Sequence, residues 1–164
     1  MEYTEILINI RKIVRSINLE SKRIEKEYGI SIPQLLCLNY LNDKEDYRST
    51  STEIKKFLNL NASTVTGIIS RLEAKNLVAR LPNRKDKRMS FITITSKGVD
   101  CVNNVPPLMH EKLSAKLQSL PGNKLDELKD AILLLLEYMD ISEVDAAPLI
   151  APELSEKQSH RSIE

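Results

Sequence analysis

The sequence predicts a mainly helical fold with one small β-hairpin (class α+β), on three observations. Apolar residues recur at helical spacing over most of the 164-residue chain. The pattern changes to short β-branched runs only at residues 77–81 and 89–95, on either side of a polar turn. Side chains that typically begin helices, short hydroxyls and amides, precede several of the helical stretches.

Composition narrows the class of protein. The chain is 41% hydrophobic and 29% charged, which is ordinary for a soluble globular protein. Its longest apolar run, residues 131–136, is far shorter than the ~20 residues of a membrane span. Two cysteines do not make a disulfide framework. We therefore expect a cytoplasmic protein with no membrane partner.

The first half of the chain predicts four helices. Residues 4–28 form a long amphipathic helix that Gly29 ends. Residues 31–34, Ser-Ile-Pro-Gln, form a capping box for a second helix, which fades in the polar loop 42–49. Residues 50–53 are a second capping box, opening a short third helix. Asn61 caps a fourth over residues 63–75, with Asn76 as its left-handed end.

The second half adds the hairpin and two further helices. Residues 77–81 and 89–95 are strands around a seven-residue charged turn. Helical patterns follow over roughly 96–119 and 123–139, divided by Leu120-Pro121-Gly122. From Ile141 on, we expect an acidic, extended tail with five acids against two bases.

Charge is segregated along the chain. Residues 51–97 carry ten basic and three acidic residues, a net +7, so the remainder is −6 in a chain of net charge +1. A basic block inside an acidic chain is a candidate polyanion-binding surface. A solvated face is the alternative that charge alone leaves open.

Helix, turn, helix and hairpin is the order of a winged helix-turn-helix, whose second helix enters the DNA major groove. The small and polar residues opposite the apolar stripe of the fourth helix are its candidate DNA contacts: Ala62, Ser63, Thr64, Thr66, Gly67, Ser70 and Arg71. Taken alone, this pattern is more often the polar, solvent-facing side of an ordinary helix.

The hairpin tip shifts the balance towards DNA. Arg84, Lys85, Lys87 and Arg88 crowd one turn with Asp86 as the only acid, and phosphates would supply the missing counter-charge. An arginine suits a narrow minor groove. We expect Asp86 to hold the Arg88 guanidinium in position. A merely solvated loop is the alternative.

These motifs resemble the MarR family of bacterial transcription regulators. The matching stretches are residues 61–66, 71–73, 75–78, 86–88 and 94–98, and with the flanking helices the resemblance covers roughly residues 4–139. It implies a homodimer on a pseudo-palindromic site of double-stranded DNA, with Arg88 as the main wing contact and Asp86 as its positioning partner. Ala62, Gly67 and Asn76 depart from the residues that are common in the family.

The expected organisation has four parts. Residues 1–30 and 99–140 are dimerisation helices, 31–98 the DNA-binding region and 141–164 the tail. Six consecutive apolar residues wrap around the last helix, more than one core face can use, although a fully buried helix of a monomer is the alternative. The candidate interface residues are Ile6, Ile10, Leu125, Leu128, Ile132, Leu133, Leu136 and Met139.

The resemblance also implies a small-molecule effector, whose pocket the sequence does not locate. Cys37 and Cys101 are interpreted as core residues rather than redox sensors. Tyr28, Tyr40 and Tyr47 are candidates for a cage around a quaternary ammonium osmolyte, although tyrosines at helix ends usually just pack. Residues 145–148 faintly resemble family members linked to ectoine and other compatible-solute genes.

Catalysis finds no support in the sequence. His110 and His160 are 50 residues apart, no metal-ligand spacing occurs, and the glycines form no phosphate loop, so we expect no cofactor, no metal and no enzyme. The leading prediction is an effector-responsive DNA-binding repressor. The alternative is a winged-helix module for protein–protein contact, its basic hairpin docking an acidic partner such as the chain's own tail.

Overall fold

The computed structural model describes residues 2–86, 88–144 and 146. Within them the chain forms the predicted mainly helical fold with a small sheet. The elements are α1 (Glu2–Tyr28), α2 (Ile32–Asn42), β1 (Arg48–Thr50), α3 (Ser51–Leu58), α4 (Ala62–Ala74), β2 (Val78–Pro82), β3 (Ser90–Ile94), α5 (Ser96–Asn104), α6 (Met109–Gln118) and α7 (Gly122–Tyr138). They fall into two compact units, α1–α5 with the sheet and α6–α7, divided between Pro106 and Pro107.

The structure confirms the predicted N-terminal caps of α2, α3 and α4. Ser31 and Gln34 form a reciprocal capping box at α2, and Thr50 and Glu53 form one at α3. The side chain of Asn61 caps α4 by accepting a hydrogen bond from the backbone N–H of Thr64. These local bonds determine where α2, α3 and α4 begin.

The sheet has one more strand than the sequence predicted. The strand order is β1-β3-β2 and both pairings are antiparallel, with Ser49 opposite Ile92 and Val78 opposite Ile94. The polar loop over residues 42–49 was therefore partly misread. Three residues are too few to show the alternation by which a strand is identified, and β1 exists because it pairs with β3.

The single helix predicted over residues 96–119 is wrong, because two helices occupy this stretch. Residues 105–108, Val-Pro-Pro-Leu, separate α5 from α6. Val105 is extended at φ −76° and ψ 126°, as a residue before proline prefers. Prolines lack the N–H that a continuing helix requires, so the helix stops there.

Core residues of the winged-helix part come from every element around α4. The residues Leu38, Leu41, Ile54, Leu72 and Ile92 are fully buried. Gly98, in the first turn of α5, lies so close to the sheet that a β-carbon there would stand 2.2 Å from the Leu77 carbonyl oxygen. This contact fixes the position of α5 beside the β2 end of the sheet.

Candidate nucleic-acid interface

The start of α4 is held by a cluster of local hydrogen bonds. Asn61 Oδ1 accepts from the Thr64 backbone N–H at 2.9 Å and from the Ser63 hydroxyl at 2.7 Å. The Thr66 hydroxyl donates to the Ala62 carbonyl oxygen at 2.8 Å. Asn59, in the left-handed conformation at φ 50°, ends α3 and lets the chain turn into α4. Residues at the turn itself therefore set how the chain passes from α3 into α4.

The predicted contact face of α4 is open to solvent. Val65, Ile68, Ile69 and Leu72 are buried, as the apolar stripe predicted. On the other side, Gly67 is half-buried, and the exposed residues are Ala62, Ser63, Thr64, Thr66, Ser70 and Arg71. All seven candidate residues thus lie away from the core.

The wing is tied to α4 by an ion pair and a backbone bond. Arg80 Nε of β2 lies 3.0 Å from Glu73 Oε2 of α4. The Leu77 backbone N–H donates to the Leu72 carbonyl oxygen at 2.9 Å. The sequence reading counted Arg80 and Glu73 only as separate charges and missed that they pair across the joint between helix and wing.

Two side chains order the wing tip. Asn83 Oδ1 accepts from the backbone N–H groups of Lys85 and Asp86, at 2.9 and 3.4 Å. Asp86 Oδ1 accepts from the backbone N–H of Arg88 at 2.9 Å. We expected this carboxylate to hold the Arg88 guanidinium, and the bond that the structure contains is instead to the backbone. A short aspartate side chain reaches the amide two residues on, as in an Asx turn.

Cations of the basic block divide into paired and unpaired ones. Arg80 is paired with Glu73, and outside the block Arg48 is paired with Asp46 at 2.7 Å. Across the part of the chain that the structure describes, the exposed residues that form no ion pair include Arg71, Arg84, Lys85 and Arg88. Lys87, the remaining predicted contact, lies outside the described residues. The unpaired cations of the block thus include Arg71 on the predicted contact face of α4 and three at the wing tip, together with Lys55 and Lys56 of α3.

Two lysines hold the C-terminal end of α4. The Lys75 ammonium donates to the Gly29 carbonyl oxygen at the end of α1, and the Lys97 ammonium donates to the Lys75 carbonyl oxygen at 3.0 Å. The Thr95 hydroxyl donates to the Asn76 carbonyl oxygen at 2.7 Å. Asn76 is left-handed at φ 58°, as predicted. The orientation of α4 is therefore fixed at both ends.

The candidate interface residues are largely exposed. On α1, Ile6 is 49% exposed and Ile10 is half-buried. Leu136 of α7 is also half-buried, and the remaining candidates are exposed: Leu125, Leu128, Ile132, Leu133 and Met139. None of the residues of α7 is buried.

Neither cysteine has an activated thiol. Burial raises the pKa of Cys37 to about 12. Burial also raises the pKa of Cys101, more than the nearby charges of Lys75 and Lys97 lower it. A thiol needs a lowered pKa to react readily, which neither cysteine has. Cys37 is a buried core residue, whereas Cys101 is half-buried.

Candidate cage tyrosines occupy different environments. Tyr40 is 7% exposed, stacks on Phe57 with ring centroids 4.3 Å apart, and carries the Lys44 ammonium 4.6 Å from its ring centroid. Tyr47 is 53% exposed. Tyr40 is therefore a core residue whose ring already contacts Phe57 and Lys44, so it does not offer an open ring face to a cationic ligand.

Among the described residues, no group of three or more His, Cys, Asp or Glu side chains could hold a metal ion. No helix in that part of the chain is long and apolar enough to cross a membrane.

Comparison with known proteins agrees with this geometry. The MarR family model matches residues 30–90. The chain is 27% identical to the HTH-type transcriptional repressor YetL of Bacillus subtilis, over 80% of this chain and 77% of that one. It is 26% identical to the transcriptional repressor MprA of Escherichia coli, over 91% and 86%.

A solved structure shares the fold. The MepR–DNA complex of S. aureus superposes with a TM-score of 0.62 at 21% identity, covering 80% of this chain and 96% of that one. The family match spans α2 to β3, where the helix-turn-helix and the wing lie. In the family match, the relatives and the shared winged-helix fold, this chain is similar to the MarR family of regulators.

Proposed function

We propose that this chain represses transcription as a homodimer on a pseudo-palindromic operator and that a small-molecule effector controls it. The similarity to the MarR family and to repressors such as MprA supports a DNA-binding regulator. The observation that carries the proposal is the set of unpaired, exposed cations on α4 and at the wing tip, namely Arg71, Arg84, Lys85 and Arg88. Cations without internal partners are available to phosphates.

The proposed contacts follow the shape of each element. The N-terminal part of α4 enters the major groove, with Ala62, Ser63, Thr64, Thr66 and Gly67 near base edges and Ser70 and Arg71 one turn further. The wing tip, with Arg84, Lys85, Lys87 and Arg88, lies in the flanking minor groove, where negative potential is strongest. Asp86 supports this contact by ordering the backbone at Arg88.

Pairing of two chains is supported by the exposed apolar side chains of the long helices. Ile6, Ile13 and Ile17 of α1 are 49–58% exposed, and Ile132, Leu133 and Leu134 of α7 are 46–51% exposed. Exposed apolar surface of this kind marks interaction sites. A symmetric pair also presents two recognition helices to two half-sites and gains affinity from their linkage.

A salt titration of duplex binding tests the proposal. We expect log K to fall with log salt concentration at a slope of several units, and Arg88→Ala to reduce that slope by about one. Lys116→Ala, which removes an exposed cation of α6, is the control that should leave the slope unchanged. Duplex binding that is undetectable or insensitive to salt would favour the protein–protein module instead.

Base readout is tested separately at Arg71. Replacement by alanine should weaken binding to the cognate duplex by roughly 1–3 kcal/mol, because an arginine in the major groove can donate two hydrogen bonds to a guanine. An unchanged affinity for the selected duplex would remove Arg71 from the contact set.

Osmolyte control is a hypothesis that rests on residues 145–148, of which the structure describes only Ala146. Adding glycine betaine or ectoine to the protein–duplex complex tests it. Release of the duplex by either compound, but not by sucrose at equal osmolality, would support the hypothesis, and retention would exclude these two effectors.

A further inference from the structure

Gly67 differs from Gly29 and Gly98 in having no structural reason to be glycine, although it lies in the interior of a helix. Gly29 has a φ of +68°, a conformation that disfavours other residues, and Gly98 has no room for a β-carbon. Gly67 is inside α4, and a β-carbon there would meet no heavy atom within 4 Å beyond the helix's own backbone and its chain neighbours. An alanine would therefore fit the free protein at this position.

Glycine is a poor choice in a helix interior, since it loses more conformational freedom on folding than alanine. The missing side chain lowers stability and no packing contact of the described chain compensates for it. A reason for the glycine must then lie outside the free chain. Gly67 lies on the face of α4 that we propose meets DNA.

The missing side chain leaves a shallow dent in that face. Residues three and four positions away are neighbours on a helix surface, so the dent is bordered by Ser63, Thr64, Ser70 and Arg71. The Ser63 hydroxyl already donates its hydrogen to Asn61, and the helix amides around Gly67 are bonded within α4. Gly67 itself has only its α-carbon where other residues carry a side chain, and this carbon offers no hydrogen bond, so an apolar group fits this position best, beside the polar side chains that border it.

We propose that Gly67 is a specificity-determining residue whose dent admits the 5-methyl group of a thymine in each half-site. This methyl group is the apolar feature that base pairs display in the major groove. The inference rests on the proposed function, because it requires α4 to lie in that groove. It predicts that adding a methyl group to the protein and removing one from the DNA have compensating effects.

The experiment begins with a duplex selected from a random-sequence library by the wild-type protein. Each thymine is then replaced in turn by deoxyuridine, which lacks the 5-methyl group. We expect one thymine per half-site at which this replacement weakens wild-type binding about five- to tenfold. Gly67→Ala should bind the thymine duplex about tenfold more weakly and prefer the deoxyuridine duplex, because the new β-carbon fills the dent.

Stability and a second glycine provide the controls. Gly67→Ala should raise the melting temperature by about 2–4 °C, since an open helix position gains from alanine. Gly122→Ala adds the same methyl group at the start of α7, where a β-carbon is equally free of contacts, and should leave both affinities unchanged.

Three results would overturn the inference. These are unchanged affinity in Gly67→Ala, a thymine preference that persists in this variant, and a lowered melting temperature, which would mean that glycine is needed by the fold. Failure of the wild-type protein to select any duplex would instead refute the proposed function, before any variant is compared.

Discussion

The winged-helix part of the molecule closes its own apolar core, whereas the long helices α1 and α7 do not. Ile54, Leu72 and Ile92 have no exposed surface, and Ile13 of α1 and Leu133 of α7 are 58% and 51% exposed. The side chains compared are aliphatic, isoleucine and leucine, in both regions. The difference teaches that the first region needs no second chain to bury its apolar side chains, and it supports the proposal that α1 and α7 pair with a partner.

The largest expected effect is on the open region. Leu133→Asp together with Leu136→Asp places charges on the apolar surface of α7, and pairing would have to bury them without partners. We expect monomers that no longer bind the operator, as measured by sedimentation and by a duplex-binding titration. Leu81→Asp, at a wing leucine that is 41% exposed, is the control for oligomeric state. An intact dimer in the double variant would refute the interface.

The closed region is tested at Gly98. Gly98→Ala forces a β-carbon against the Leu77 carbonyl oxygen, 2.2 Å away, so either α5 or the backbone just before β2 must move. We expect a loss of about 3 kcal/mol in the free energy of unfolding, as measured by urea denaturation. A loss in the free energy of unfolding smaller than that in Gly122→Ala, where a β-carbon in α7 is free of contacts, would contradict the tight contact.

A smaller effect is expected at the start of α3. The Thr50 hydroxyl accepts from the Glu53 backbone N–H at 3.2 Å. Thr50→Ala should lower the free energy of unfolding by about 1 kcal/mol, because this amide loses its cap. Ser51→Ala removes a hydroxyl one residue later and should cost less. Equal effects in the two variants, by thermal unfolding, would show that capping does not explain the loss.

The smallest expected effect is a dependence of stability on pH. Hydrogen bonds from the Ser49 hydroxyl and the Thr50 backbone N–H lower the pKa of Glu53 below its ordinary 4.5. A lowered pKa in the folded state means that the stabilisation is present above pH 4.5 and is lost as pH falls through the folded value. Glu53→Gln keeps an acceptor but does not titrate.

Urea denaturation of both proteins at a series of acidic pH values checks this. The variant should lose less stability than the wild type as the pH falls below 4.5. Gln34 holds the equivalent position in the α2 capping box as a neutral amide and so adds no pH dependence there. Parallel losses in the two proteins would show that the acid sensitivity arises elsewhere.

Local signals made much of the fold predictable. The capping boxes at Ser31 and Thr50 and the amide cap at Asn61 act within four residues, so their roles can be read from the sequence. The left-handed Asn76 was predictable for the same reason. The strand β1 was not, because only its pairing with β3, more than 40 residues later, makes it a strand.

The candidate site was predictable as a set of residues but not as an arrangement. Helical periodicity identified the outward face of α4, which the structure confirms as open to solvent. The pairing of Glu73 with Arg80 and the bond from Asp86 to the Arg88 backbone depend on distances that charge counting does not contain. The end of α5 could have been predicted from Pro106 and Pro107, because proline cannot continue a helix. The helical spacing of apolar residues over 96–119 instead predicted one continuous helix.

Order at the wing tip has a consequence for how quickly and tightly it can bind. Asn83 and Asp86 hold the loop backbone through their own side chains in the unbound chain. The conformational entropy of these hydrogen-bonded residues is thus largely lost during folding rather than at the moment of association. In the proposed complex with DNA they would meet the duplex in a preformed shape, and loosening them at Asn83 should slow productive encounters without removing any positive charge.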